Sequence, residues 1–277
     1  MKSPVVMFTH FHKDFVFNHN SSWVKACYAG GTGPYEWHPP NNNGEFINVT
    51  DGGILKYKKY YDTTEQEFLI AMGQQATDCY LANENYDAEY YGVGSYRRYL
   101  MISDSITELG EKVTVPASQE MVNHLTSDYQ MEAALNYFKF ADVITNRPRI
   151  ITQTIEQQYL QYELSEYWNL FKEGIVKTNP SYKPYIKWLT DYNTINYEGV
   201  YIMRKDLFKR LVSEYFSIME HIWQNCSEIY PDKNKKSYPC SEPLPWRYPG
   251  FLNERFVPFF VYANALRTVN VPLAFLN

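Results

Sequence analysis

The sequence predicts a single α/β domain with a mixed central sheet flanked by helices. A short apolar run at residues 4–9 (PVVMFT) opens the chain, as the first strand of such a domain usually does. Candidate strands then alternate with candidate helices along the sequence. No repeat, low-complexity linker or composition shift divides the 277 residues, so residues 1–277 read as one domain.

The elements follow in order. Residues 30–46 (GGTGPYEWHPPNNNGEF) are rich in Gly, Pro and Asn and form a loop. Their GGTG is too short and wrongly placed for a P-loop or a dinucleotide fingerprint. Residues 62–75 are helical, and Thr64 with Glu67 fits a capping box. Residues 89–99 read as a strand. Residues 118–139 are helical in two pieces, and residues 141–145 (ADVIT) form another strand. Residues 153–177 are a helical stretch rich in Tyr, Trp and Glu. Residues 197–203 (YEGVYIM) form a strand. Residues 204–223 are the clearest amphipathic helix, with Phe208, Leu211, Val212, Tyr215, Phe216, Met219 and Ile222 on one face. A proline- and lysine-rich loop covers 225–249. Residues 251–264 close the core as a helix followed by irregular chain.

Composition narrows the function. The formal net charge of −5 gives no global basic footprint and argues against a dedicated nucleic-acid binder. The 26 tyrosines supply rings with hydroxyls, the kind of surface that sugars and bases favour. Low-GC codon usage produces the same enrichment. Cys27, Cys79, Cys226 and Cys240 show no CxxC spacing, which argues against a zinc site or disulfide framework and for a reducing compartment. The N-terminus lacks a signal-peptide core, and no apolar run reaches the roughly 18 residues needed to span a bilayer. The expected location is cytoplasmic.

Residues 89–100 read EYYGVGSYRRYL. The apolar run ends in Arg97 and Arg98, bracketed by Tyr96 and Tyr99. Strands of open α/β sheets end at the crevice where ligands sit, and the arginine fork matches phosphate oxygens. Both arginines are candidates for holding a phosphate-bearing ligand. The alternative is that one pairs with a core carboxylate and the other is solvated. Strand alternation, which sends adjacent side chains to opposite faces, is compatible with such a split.

Three segments in this order, SYRRYL (95–100), YIMRKDLF (201–208) and GFLNERF (250–256), resemble a bacterial family of capsular-polysaccharide-type glycosyltransferases. That family reads roughly HYRRY, NMFIMKKEIF and GFLSERL. The resemblance runs from about residue 57 onward. Ser95 and Gly199 depart from the family's histidine and asparagine. The resemblance implies a GT-A fold and a nucleotide-sugar donor, most simply a UDP-sugar. It further implies a hydroxyl acceptor on a glycan or, less usually, on a hydroxylated DNA base.

On that basis Thr9, His10, Tyr96, Arg97 and Arg98 are the expected donor contacts, the arginines neutralising the departing diphosphate. Glu254 is the expected base or acceptor-orienting group, with Arg255 and Trp246 beside the acceptor. Trp37 and Trp188 are further candidate stacking surfaces, and Asp142 and Asp191 weaker candidate acids. No DxD motif follows the strand. Asp104 is the nearest downstream acid for a Mn²⁺ or Mg²⁺ ion, which generally wants carboxylate help as well as substrate phosphates. A second reading is a non-catalytic module of the same fold that binds a glycan or nucleotide.

Overall fold

A computed structural model describes residues 3–11, 21–29, 46–50, 52–103, 112–196, 198–228 and 247–277. β1 (Val5–His10) is buried along its whole length, as befits an interior strand covered on both faces. β2 (Val24–Tyr28) pairs with it in parallel, and β3 (Phe46–Asn48) pairs in parallel with β2. A 3-10 turn (Ile54–Tyr60) leads to α1 (Glu65–Ala71) and α2 (Gly73–Asn83). The capping box at the start of α1 is formed: the Glu67 N–H donates to Thr64 Oγ1, and the Thr64 N–H donates to Glu67 Oε2.

β4 (Tyr90–Ser95) lies on the other side of β1, parallel to it. The expected continuous strand over 89–99 breaks here. Residues 96–97 form a turn, and β5 (Arg98–Leu100) folds back on β4 with Ser95 opposite Arg98. β6 (Lys112–Val115), α3 (Gln119–Leu125), α4 (Asp128–Phe138), β7 (Val143–Asn146) and β8 (Arg149–Ile150) follow. Next come α5 (Ile155–Leu160), α6 (Ser165–Thr178), a second 3-10 turn (Pro180–Tyr185), α7 (Lys187–Asp191) and β9 (Thr194–Ile195). β10 (Tyr201–Arg204) runs antiparallel to both β4 and β7. α8 (Lys205–Asn225), α9 (Tyr248–Ala263), β11 (Thr268–Val271) and β12 (Leu273–Leu276) complete the chain. The tail after α9 is thus not irregular. β11 joins the sheet beside β7, and β12 pairs with β5 and β6.

The main path of the mixed sheet runs β11-β7-β10-β4-β1-β2-β3. Alternation along the strands divides the core in two. Val6, Phe8, Tyr91, Val93, Tyr201 and Met203 face the layer containing α8, whose Phe208, Leu211, Tyr215 and Met219 are buried as their spacing predicts. Val5, Met7, Ile144 and Ile202 face α4, where Phe138 stacks on Tyr90 at 3.9 Å.

Candidate functional site

β1 leads to β2 on one side, while β4 lies on its other side. The gap between the ends of β1 and β4 is therefore the topological switch point, where such sheets hold ligands. The Tyr96 N–H donates to His10 O at 3.0 Å and ties the two strand ends together. Because β10 is antiparallel to β4, its lead-in at 198–200 reaches the same edge. Thr145 Oγ1 donates to Val200 O at 3.1 Å and fixes that lead-in to β7.

α2 precedes β4, so its N-terminus also starts at this edge and brings the positive end of its dipole. Gln74 Nε2 donates to Gly199 O at 2.7 Å. Gly199 has φ +58° and follows Glu198 at φ +87°, a left-handed conformation uncommon for a residue with a Cβ. An ideal Cβ on Gly199 would lie 2.8 Å from Gln74 Nε2, so both the backbone turn and the latch favour glycine there.

Five charged side chains converge at this edge: Arg98 from β5, Lys112 from β6, Glu198 from the lead-in to β10, and Glu254 and Arg247 from α9 and its start. Arg98 Nε lies 2.7 Å from Glu198 Oε2, and Lys112 Nζ lies 3.8 Å from Glu198 Oε1. Glu254, on α9, is electrostatically coupled to Arg255, Arg98, Glu198 and Arg247. Its side chain keeps 29% of its surface open, yet burial dominates its titration. A carboxylate on a concave wall can touch water and still be poorly solvated. Burial raises its pKa, Arg255, Arg98 and Arg247 oppose the rise, and Glu198 adds to it.

Arg247, at the start of α9, is open at the surface, but the protein around its guanidinium disfavours the charge. Glu254 offsets that penalty and Arg98 adds to it. Arginine does not give up its proton, so Arg247 remains a cation near Arg98 and Glu254. Glu198 and Arg247 carried no motif in the sequence. The available hints were an acidic residue before the glycine of YEGVYIM and an arginine three residues before Gly250.

The expected site residues separate into two groups. Arg98 and Glu254 stand together in the crevice. Arg97, in the hairpin turn, points to the C-terminal strand instead. Its Nε donates to Leu276 O at 3.1 Å and its guanidinium lies over the Phe275 ring at 4.7 Å. Arg255 is 4% exposed. It donates to Phe251 O at 2.6 Å and to Gln158 Oε1, and it lies over the Tyr159 ring. This placement makes it a strut between α9 and α5 rather than an acceptor contact.

Thr9 is wholly buried, and its hydroxyl has no partner among the described residues, so a donor does not reach it without displacing the strand end. His10 Nδ1 bonds Thr77 Oγ1 at 3.0 Å, and its Nε2 faces Gly73, where an ideal Cβ would come within 3.3 Å. Tyr96 is buried against Phe11. Asp142 sits at the start of β7, held by two contacts from the Arg267 guanidinium at 3.0 and 3.1 Å. Asp191 is on the exposed end of α7. Asp104, Trp246 and Trp37 lie outside the described residues.

Behind the crevice, α2 and α9 are joined by a buried acid. Asn253 Nδ2 donates to Asp78 Oδ2 at 3.1 Å, and Asp78 Oδ1 has no partner among the described residues. Burial pushes this carboxyl up to about 7, with the Asn253 hydrogen bond opposing. Among the described residues, no three His, Cys, Asp or Glu side chains gather as a metal site. The two crevice carboxylates instead face cations. No described helix is long and apolar enough to cross a membrane.

Comparison with known proteins places these observations. No curated protein matches the sequence. The apo structure of WbbM, a bifunctional glycosyltransferase, matches with a TM-score of 0.74 at 16% identity, over 99% of this chain and 46% of that one. The chain thus spans less than half the length of that neighbour, and at this identity the likeness is one of fold. Residues 74–265 match the family described as a domain of unknown function, DUF4422, a span that holds Arg98, Glu198, Arg247 and Glu254. The chain belongs to the DUF4422 family.

Proposed function

We propose that this protein transfers a glycosyl group from a nucleoside-diphosphate sugar, most simply a UDP-sugar, to a hydroxyl of a glycan acceptor. The convergence of Arg98, Arg247, Glu198 and Glu254 at the β1/β4 switch point carries this reading. The fold likeness to a glycosyltransferase supports it.

In a direct displacement the sugar C1–oxygen bond to the diphosphate breaks, and its electron pair leaves with the diphosphate. A bond forms between C1 and the acceptor oxygen, and the acceptor proton passes to the Glu254 carboxylate. Arg98 and Arg247 face the charge that develops on the leaving group, and the N-terminus of α2 adds to their field. A carboxyl whose pKa burial raises is the better base near neutral pH. Glu198 holds Arg98 in place until the diphosphate competes for it. No step requires a metal from the described residues. Among the described residues, Glu198 or Glu254 would join the diphosphate in holding Mn²⁺ or Mg²⁺ by leaving their present cations.

The 2.7 Å contact between Arg98 and Glu198 favours a second reading, a binding module in which Arg98 is a structural partner of Glu198 and nothing is turned over. A panel of UDP-, GDP- and CMP-sugars, assayed for hydrolysis and transfer with and without Mn²⁺, decides between them. Turnover of one donor that Glu254→Gln abolishes supports the transferase. Donor binding without turnover supports the module. A panel in which no donor binds or reacts overturns the transferase and the nucleotide-binding module, and leaves only a glycan-binding one.

A further inference from the structure

The helical layer ends in a group of rings that the crevice chemistry leaves unused. Tyr262 at the end of α9, Tyr192 just after α7 and Tyr185 in the second 3-10 turn are 41%, 48% and 40% exposed. They gather around Trp188 of α7, which is buried. Tyr262 stacks on Trp188 at 5.7 Å and 24°. Tyr185 and Tyr192 each meet Tyr262 at 5.9 Å. Tyr192 also packs against Trp188 at 6.4 Å, so Tyr192 and Tyr262 are held against the same buried ring and against each other. The surface is therefore preorganised, and little side-chain entropy remains to be lost on binding.

The chemistry of the surface selects its ligand. Every exposed ring carries a hydroxyl, so each offers an apolar face and a polar rim. A pyranose presents the complement, a C–H face bordered by hydroxyls. The flanking charges, Lys183 and Lys187 against Asp191, leave one net positive charge, too little by itself to select a polyanion. The position fits as well. Tyr262 lies eight residues beyond Glu254 on the same helix, about 12 Å along its axis. Tyr192 precedes Glu198 by six residues, joined through β9.

We infer that Tyr192 and Tyr262, packed on Trp188, together with Tyr185 at the edge of Tyr262, form an aromatic platform that binds a neutral oligosaccharide beside the crevice. Binding stands apart from transfer. Only the platform's service as an acceptor subsite rests on the transferase reading.

The full chain, with no donor present, is titrated by calorimetry with maltohexaose, cellohexaose, mannohexaose and a β-linked galactohexaose. At least one is expected to bind. Tyr192→Ala and Tyr262→Ala should each weaken that binding about tenfold, and Tyr262→Phe, which keeps the ring, should weaken it less. UDP affinity should be the same in all variants. If Tyr262→Ala does not fold by circular dichroism, Tyr185→Ala, on the outer rim, takes its place. The platform is overturned if none of the four hexasaccharides binds, or if the folded alanine variants bind as the wild type does. It is equally overturned if the wild type sediments as a dimer that Tyr262→Ala dissociates, since a second copy then covers this face.

Discussion

In the crevice, charged groups face one another within reach of water. In the scaffold behind it, they are held by contacts that tie one element to the next. The same adjacent residues feed both regions. Arg98 meets Glu198 in the crevice while Arg97 turns to Leu276 and Phe275. Glu254 faces the crevice cations while Arg255 bridges α9 to α5. One residue of each pair is thus available to a ligand, and the other holds the element that presents it. A crevice pair can exchange partners because solvent and ligand replace what is lost. A scaffold charge cannot, because an unpaired buried charge costs several kcal/mol.

The sharpest way to break this contrast is Glu254→Gln. On the transferase reading it lowers kcat about 10²–10⁴-fold, the range of general-base catalysis, with little change in Tm. Arg98→Ala should follow with a loss of about 10²–10³-fold, as for removal of one donor to a developing anion. Arg97→Ala should cost less than about tenfold and instead loosen β12, read as faster amide exchange at Leu276. Equal losses for the two arginines would erase the distinction between crevice and scaffold.

In the scaffold the expected effect is on stability. Arg255→Met removes two hydrogen bonds from a buried cation and should cost about 3 kcal/mol, measured by urea unfolding. A variant of unchanged stability but altered substrate KM would return Arg255 to the acceptor site.

The smallest expected effect is a pH slope. Burial raises the Asp78 carboxyl from its ordinary value of 3.8 to about 7, and the Glu163 carboxyl is likewise raised to about 8. Between those values the folded state holds a proton that the unfolded state has released. The stability contributed by neutral Asp78 is therefore complete below about pH 4, declines as pH rises and is lost above about 7. Asp78→Asn, compared with wild type by thermal melting at pH 5 and pH 8, should gain at the higher pH. A constant difference between the two proteins would mean that Asp78 is already ionised in the fold.

Much of the fold was legible because its signals are local. The opening strand, the capping box at Thr64 and Glu67, the two-piece helix at 118–139 and the apolar face of α8 are each written within a few residues. The turn at 96–97 was hidden, because an unbroken run of β-forming residues on either side looks the same as one strand. β11 and β12 were missed because four-residue strands separated by Pro272 show too little alternation to stand out. In the site, Arg98 and Glu254 could be singled out from their motifs, whereas Glu198 and Arg247 could not.

The sequence by itself determined the α/β class, the main helices and the two motifs that carry Arg98 and Glu254. Tertiary structure alone decided which member of each adjacent pair enters the crevice and which charges meet it there. The physical reason is separation along the chain. Arg98 and Glu198 are 100 residues apart, and Arg247 reaches the same edge from the start of α9. Only the switch between β1 and β4, with β10 running back antiparallel, brings those distant groups to one place.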